Sequence, residues 1–165
     1  MSKRGTLRRS EKEITDRSAV EAVLQRAEVC RIAMVNGDEP YVIPMNFGYR
    51  DSTLYFHSFK KGMKTGLLEK NDRVCFEADV DIKIWPAERI CDWGFRYRSV
   101  IGFGRAHLIE DRKEKLEALD VIIRHYTDID YDIPEEELDK LAVYKVPVEH
   151  ITGKQAGYGS PESGE

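Results

Sequence analysis

The sequence predicts a mainly β, α+β fold: a small antiparallel β-barrel with peripheral helices. Three observations carry this. Apolar and polar residues alternate with period two in several separate stretches. Turn-forming residues join those stretches over short distances. Helical periodicity is confined to a few segments between them. The sum is roughly six or seven short strands and three or four helices, an arrangement of barrels and sandwiches rather than parallel sheets.

The elements follow in order. Ser18-Ala-Val-Glu21 reads as a capping box, with Val20, Val23, Leu24 and Ala27 at helical spacing behind it. Cys30, Ile32 and Met34 then share one side of a strand, and Asn36-Gly37 signals a hairpin. On the return strand Tyr41, Ile43, Met45, Phe47 and Tyr49 face one way, and Val42, Pro44, Asn46 and Gly48 the other. Arg50 to Thr53 turns the chain into a short strand, Leu54 to His57. Gly62 to Glu69 is expected to be a short helix, and Val74, Phe76, Ala78 and Val80 alternate as a strand. Residues 81–97 hold Trp85, Pro86, Cys91, Trp93 and Tyr97 without a clean period. Alternation returns from Arg98 to Ile109, with Gly102 and Gly104 placed for close backbone approach or a bend. Asp111 caps a helix bearing Leu116, Leu119, Ile122, Ile123 and Tyr126, and Pro134 with three glutamates starts another. A last strand runs from Val143 to Ile151.

At 165 residues and 19.0 kDa the chain has the size of one domain. Its 26 basic and 30 acidic residues give −4, so no overall basic field points to nucleic acid or an anionic membrane. No apolar run approaches the roughly 18 residues of a membrane span. The basic start lacks the apolar core of a secretory signal. Cys30, Cys75 and Cys91 form no CxxC pair, which speaks against a disulfide framework or a metal site and for a reducing, cytoplasmic setting. Residues 1–13 read as a flexible basic arm and 156–165 as a mobile tail, around a domain spanning 14–155.

No P-loop, GxGxxG, GxSxG or HExxH motif is present. The richest cluster lies in residues 54–73. A strand ends at His57-Ser58, a loop carries Lys60, Lys61 and Gly62, and a short helix brings Lys64. Helix-start N–H groups and lysines suit a phosphate. Ordinary surface charge explains the same lysines, and composition leaves both readings open. Pro44 removes a ladder donor, so its strand is an edge or a bulge. Next to it Val42, Asn46 and Gly48 share a face on which a flat ring could lie, and a simple edge strand explains the same pattern.

Taken together, these segments resemble a known family. Pro40 to Tyr49, Leu54 to Ser58, Gly62-Met-Lys64 and Asn71 to Glu77 are similar to the flavin-binding split-barrel family of pyridoxamine 5′-phosphate oxidase. Within it, they and Cys91 to Arg105 most resemble the 5-nitroimidazole-resistance (nitroimidazole reductase) branch. The resemblance spans roughly residues 8–155 and rests on the order and spacing of the segments.

It implies a six-stranded Greek-key split barrel and a homodimer with two flavin sites at the subunit interface. FMN is the implied cofactor, with FAD and then haem as alternatives. By position, Val42, Ile43, Pro44, Met45 and Asn46 match the strand lining the flavin ring, and His57 and Ser58 the strand end that touches it. Met63 and Lys64 match an Arg-Lys pair on the phosphate; Met63 replaces the arginine, leaving Lys60 or Lys61 to compensate. Ser99 matches a polar residue reaching the partner's flavin, and Lys154 is a further phosphate candidate. The implied activity is a flavin-dependent reductase acting on a small oxidised acceptor such as a nitroaromatic, with NAD(P)H as a transient donor and His57 as the catalytic candidate. The C-terminal Trp and Arg cluster of the oxidases that make pyridoxal phosphate is not matched by Lys154 to Ser160, so that activity is not expected. A non-catalytic flavin- or haem-binding protein, or a haem-degrading one, fits the same scaffold.

Overall fold

The computed structural model of the chain describes residues 9–158. Most of the arm expected over 1–13 and of the tail expected over 156–165 lies outside the described residues. Of the arm, Ser10–Lys12 forms a 3-10 turn, and Glu13–Ile14 (β1) pairs with the last strand.

The barrel strands are β2 (Cys30–Asn36), β3 (Glu39–Met45), β4 (Phe47–Arg50), β5 (Thr53–Phe59), β6 (Arg73–Trp85), β7 (Gly94–Arg105) and β9 (Leu141–Ala156). They pair antiparallel in the order β3-β2-β6-β7-β9-β5-β4, and the short β1 and β8 (His107–Leu108) add to β9. The mainly antiparallel architecture expected from the alternation is therefore present. The strand count differs from six because the run 39–50 is one stretch of chain in two ladders. β3 pairs with β2, β4 pairs with β5, and Asn46 stands between them. The two ends of the hydrogen-bonded path are thus covalent neighbours. β9 serves both halves in the same way: Leu141 to Pro147 pairs with β5, and Val148 to Ala156 with β7.

The hairpin at Asn36 forms as expected, with Gly37 supplying a φ of 69°. Helix α1 (Arg17–Arg26) starts one residue before the expected cap. Asp16, not Ser18, is its N-cap: its carboxylate accepts the Ser18 N–H at 3.0 Å and the Ser18 hydroxyl at 2.7 Å. Helix α2 covers Met63–Lys70, and α3 covers Arg112–Arg124, capped by Asp111 accepting the Glu114 N–H at 2.8 Å. The short α4 is Glu135–Leu138.

Two apolar cores result. The barrel interior is filled by Leu24, Ile32, Phe47, Phe56, Phe76, Val100 and Val146, all nearly inaccessible. Phe76 lies across Gly102, where a Cβ would fall inside the ring's contact distance. Outside the barrel, α3 and α4 cover β5 and β9 through Leu119, Ile122, Leu138 and Val143. A Cβ on Gly48 would lie 2.5 Å from the Val121 carbonyl oxygen, so glycine is what lets α3 sit down on β4. Gly48→Ala is expected to cost about 1–3 kcal/mol through overpacking, read in a urea melt.

The seam between the start of β4 and the segment preceding β2 is closed by side chains. Tyr126 Oη accepts the Phe47 N–H at 3.0 Å and donates to the Glu28 carbonyl at 3.0 Å. His125 Nε2 lies 2.7 Å from the Ala27 carbonyl, and its ring tilts against Phe47. Among the described residues no helix is long and apolar enough to cross a membrane.

Residues 81–97, aperiodic in sequence, prove to be strand at both ends, with residues 86–93 connecting them. β6 continues to Trp85 through a bulge between Val80 and Lys83, where Asp81 adopts φ 58°. Arg26 and Arg98 both bind the Asp81 carboxylate, at 2.5 Å each, which pins the bulge. Beyond it the β6–β7 hairpin projects with exposed Ile82, Ile84, Trp85 and Phe95.

Candidate functional site

The end of β3, the end of β5 and the start of α2 converge on one cavity of about 270 Å³. It is lined by Pro44, Met45, Asn46, His57, Ser58, Phe59, Lys64 and Leu141. The ladder explains the meeting. β4 pairs with β5 from Phe47↔Phe56 onward, so the residues just before Phe47 and just after Phe56 lie side by side. Thr65 Oγ1 donates to the Phe59 carbonyl at 3.0 Å, which ties α2 to the end of β5 and brings Lys64 over the cavity. Lys64 Nζ rests 3.5 Å from Met45 Sδ.

The lining is chemically one-sided. It contains no acidic side chain, and its one full charge is the Lys64 ammonium. Pro44 offers no N–H, while Asn46 and Ser58 supply polar atoms. His57 Nδ1 is buried without a hydrogen-bond partner among the described residues. An unpaired buried polar atom costs about 1–3 kcal/mol, which a ligand bearing amide or carbonyl groups would relieve. Burial, and then the neighbouring Lys64 charge, push the His57 pKa below its usual 6.5. The imidazole is therefore neutral at neutral pH, and the cavity suits an electron-poor or anionic ring compound.

That shift has a sign in stability. With the folded pKa below 6.5, the unfolded chain binds the proton first as pH falls. The wild type keeps this contribution above 6.5 and loses it as pH drops through the folded value. His57→Gln removes the dependence. The stability gap between variant and wild type should move in the variant's favour from about pH 7 to about pH 5 in urea melts. A constant gap would mean that His57 titrates as if exposed.

Of the residues singled out in the sequence, Pro44, Met45, Asn46, His57, Ser58 and Lys64 line this cavity. Val42 lies two residues away on the same exposed face, while Ile43 points inward and packs against the barrel core. Lys60, Lys61 and Met63 are exposed on the loop and first turn beside it. Ser99 and Lys154 are directly paired across β7 and β9, away from the cavity of their own chain. Ser99 lines a separate hollow with Glu77, Asp79, Ile82, Phe95 and Tyr97. There Arg31 bridges Glu77 at 3.0 Å and Asp79 at 2.5 Å, and burial followed by the Asp79 charge raises the Glu77 pKa. Two lining residues lie outside the sequence expectation. Phe59 continues the β5 alternation and is readable from it. Leu141 has no local signal and arrives only through its pairing with Phe59.

Comparison with known proteins places the chain among relatives. A family model described as pyridoxamine 5′-phosphate oxidase matches residues 16–155. A candidate 5-nitroimidazole antibiotic resistance protein of Bacteroides thetaiotaomicron is 35% identical, with 87% of this chain and 86% of that one covered and a TM-score of 0.79. The flavocytochrome Anf3 of Azotobacter vinelandii shares the fold at 22% identity, TM-score 0.84, over 99% of this chain and 78% of that one. An FAD and haem binding protein of Mycobacterium smegmatis does so at 18% identity and TM-score 0.81, over 92% of this chain and 77% of that one. A search of curated proteins gave no match.

Proposed function

The chain belongs to the pyridoxamine 5′-phosphate oxidase family, and from that premise we propose that it is a flavin-dependent reductase of small oxidised acceptors such as nitroaromatics. The observation that carries the reading is the acid-free cavity holding Lys64 and the unpaired His57 Nδ1. FMN is the simplest occupant, because one lysine and a helix start provide for one phosphate.

A bound flavin supplies the redox chemistry, taking up and passing on electrons. The chain's own residues hold it and its acceptor. Lys64, helped by Lys60 and Lys61 from the adjacent loop, neutralises the phosphate. Met63 stands where the family carries an arginine and adds no charge. Pro44, Met45 and Asn46 present a flat edge to the ring, and Asn46 and Ser58 orient its polar rim. His57, neutral and half-enclosed, can relay a proton to the acceptor as it is reduced, giving one from one ring nitrogen while the other takes one up.

A second copy of the chain completes the site in this reading. The outer face of β3, β6 and β7 exposes Val42, Ile82, Ile84, Phe95 and Ile101, more apolar surface than a lone barrel needs. A homodimer covering it would bring Ser99 and Lys154 of the partner towards the cavity. Light scattering is expected to give twice 19.0 kDa.

The test is direct. Purified protein should be yellow, and mass spectrometry of the heat-released ligand should identify FMN or FAD. With NADPH and a nitroimidazole it should turn over faster than free flavin at equal concentration. His57→Ala should lower turnover at least tenfold while leaving flavin affinity within a few-fold. A colourless protein that ignores both flavins defeats the proposal, and a flavoprotein no faster than free flavin leaves only the binding half standing.

A further inference from the structure

The β6–β7 hairpin carries two cations without an ion-pair partner among the described residues. Lys83 lies directly opposite Arg96 in the ladder. Directly opposed residues share a face, so two cations stand side by side, an arrangement that weakens a ladder unless something neutralises it. None of the ion pairs among the described residues involves either one. The neighbouring Arg98 differs: it is bound to Asp81 at 2.5 Å.

Arg96 is held ready rather than left loose. Its guanidinium lies 3.2 Å from the Trp85 ring centroid and 5.8 Å from that of Tyr158. Tyr158 is itself fixed, donating its hydroxyl to the Asp81 carbonyl at 2.7 Å. Gly157, at φ 73°, brings the backbone so close that a Cβ there would strike Arg96. Aromatic rings on its flanks leave a guanidinium's donors free in its own plane, where oxyanions bind in fork geometry. Arg96 Nε is buried and has no hydrogen-bond partner among the described residues. Trp85 remains half exposed, as does Trp93 at the hairpin's end.

Two cations with no ion-pair partner among the described residues, one of them stacked on a half-exposed indole, match one ligand class, a phosphate joined to an aromatic base. We propose that Lys83, Arg96 and Trp85 form a second binding site, for the adenosine diphosphate group of a dinucleotide. The cations take the phosphates, and the indole takes the base. FAD and a nicotinamide dinucleotide both carry this group. The site goes beyond the flavin reading and does not depend on it.

The chain's two tryptophans, Trp85 and Trp93, both lie on this hairpin, so tryptophan emission reports on it. Titrating the full-length protein with ADP should change that emission saturably, and adenosine at the same concentrations should not. Lys83→Gln, which leaves the Trp85–Arg96 stack in place, should weaken ADP binding at least fivefold. Arg96→Gln should weaken it at least tenfold, with calorimetry as the second readout because the variant also alters the surroundings of Trp85. Two further arms separate the sources. If FAD is the ligand, Lys83→Gln lowers FAD affinity and spares FMN. If the donor is the ligand, it raises the KM for NADPH and spares both flavins. No saturable response to ADP, equal response to adenosine, or undiminished ADP binding by both variants overturns the proposal. A protein that binds ADP but no flavin would defeat the reductase reading and leave this site standing.

Discussion

Lys64→Ala is expected to weaken FMN binding by one to two orders of magnitude in a flavin fluorescence titration. The cavity holds no other full charge, so little inside it can compensate. A hydrogen bond to a charged group contributes about 1.5–3 kcal/mol, and about 1.4 kcal/mol is tenfold in affinity. Lys60→Ala and Lys61→Ala should each cost less than fivefold, because exposed side chains are screened by solvent and salt. The comparison makes the test specific. If all three variants lose affinity equally, the loop acts as a diffuse positive surface. If Lys64→Ala alone is silent, the phosphate lies elsewhere. Salt should weaken wild-type binding more than it weakens Lys64→Ala, since the variant has already lost the main ionic contact.

Phe76→Ala and Gly102→Val should each destabilise the fold severely, while their combination should be milder than the sum. Phe76 is 1% exposed and fills the barrel centre against Gly102. Truncating a buried phenylalanine costs about 3–5 kcal/mol through lost burial and the cavity left behind. A side chain in place of Gly102 meets the same ring and cannot be accommodated while it is there. Removing the ring makes that space available, so the introduced valine can partly refill what Phe76 vacates. Denaturant melts of the two single variants and the double variant measure the coupling. Strict additivity would show that the ring and the glycine do not share that volume. Against a domain stability of about 5–15 kcal/mol, either single change threatens folding at physiological temperature.

The strands are legible wherever one face meets the core and the other meets solvent. Cys30 to Met34, Leu54 to His57 and Val74 to Ala78 alternate because the barrel buries every second residue. The signal fails where that asymmetry ends. Past Asp81 the bulge shifts the register and the hairpin leaves the core, so Ile84 and Trp85 are both exposed on opposite faces. The run from Tyr41 to Tyr49 keeps its parity through Asn46, which hides the change of ladder there. Helix α1 is legible but its cap is not, because Asp16 and Ser18 are both good caps and only the backbone decides between them. Six cavity residues are legible through the family resemblance of the segments that carry them, each lying at the end of a local element. Leu141 is not, since nothing near it in sequence announces Phe59. The placement of Ser99 and Lys154 beside each other comes from strand register, which no local pattern encodes.

Tyr126 fastens the seam with a hydroxyl rather than a backbone rung. The turn that follows α3 can therefore lift without unzipping any strand pair, and the Phe47 amide would meet water while its neighbours in β5 stay shielded. In deuterium exchange that amide should wash out faster than those of Leu54 and Phe56, and Tyr126→Phe should speed it selectively. The barrel thus has a grain, like split timber: one line along which it gives first, ending at the asparagine that borders the cavity.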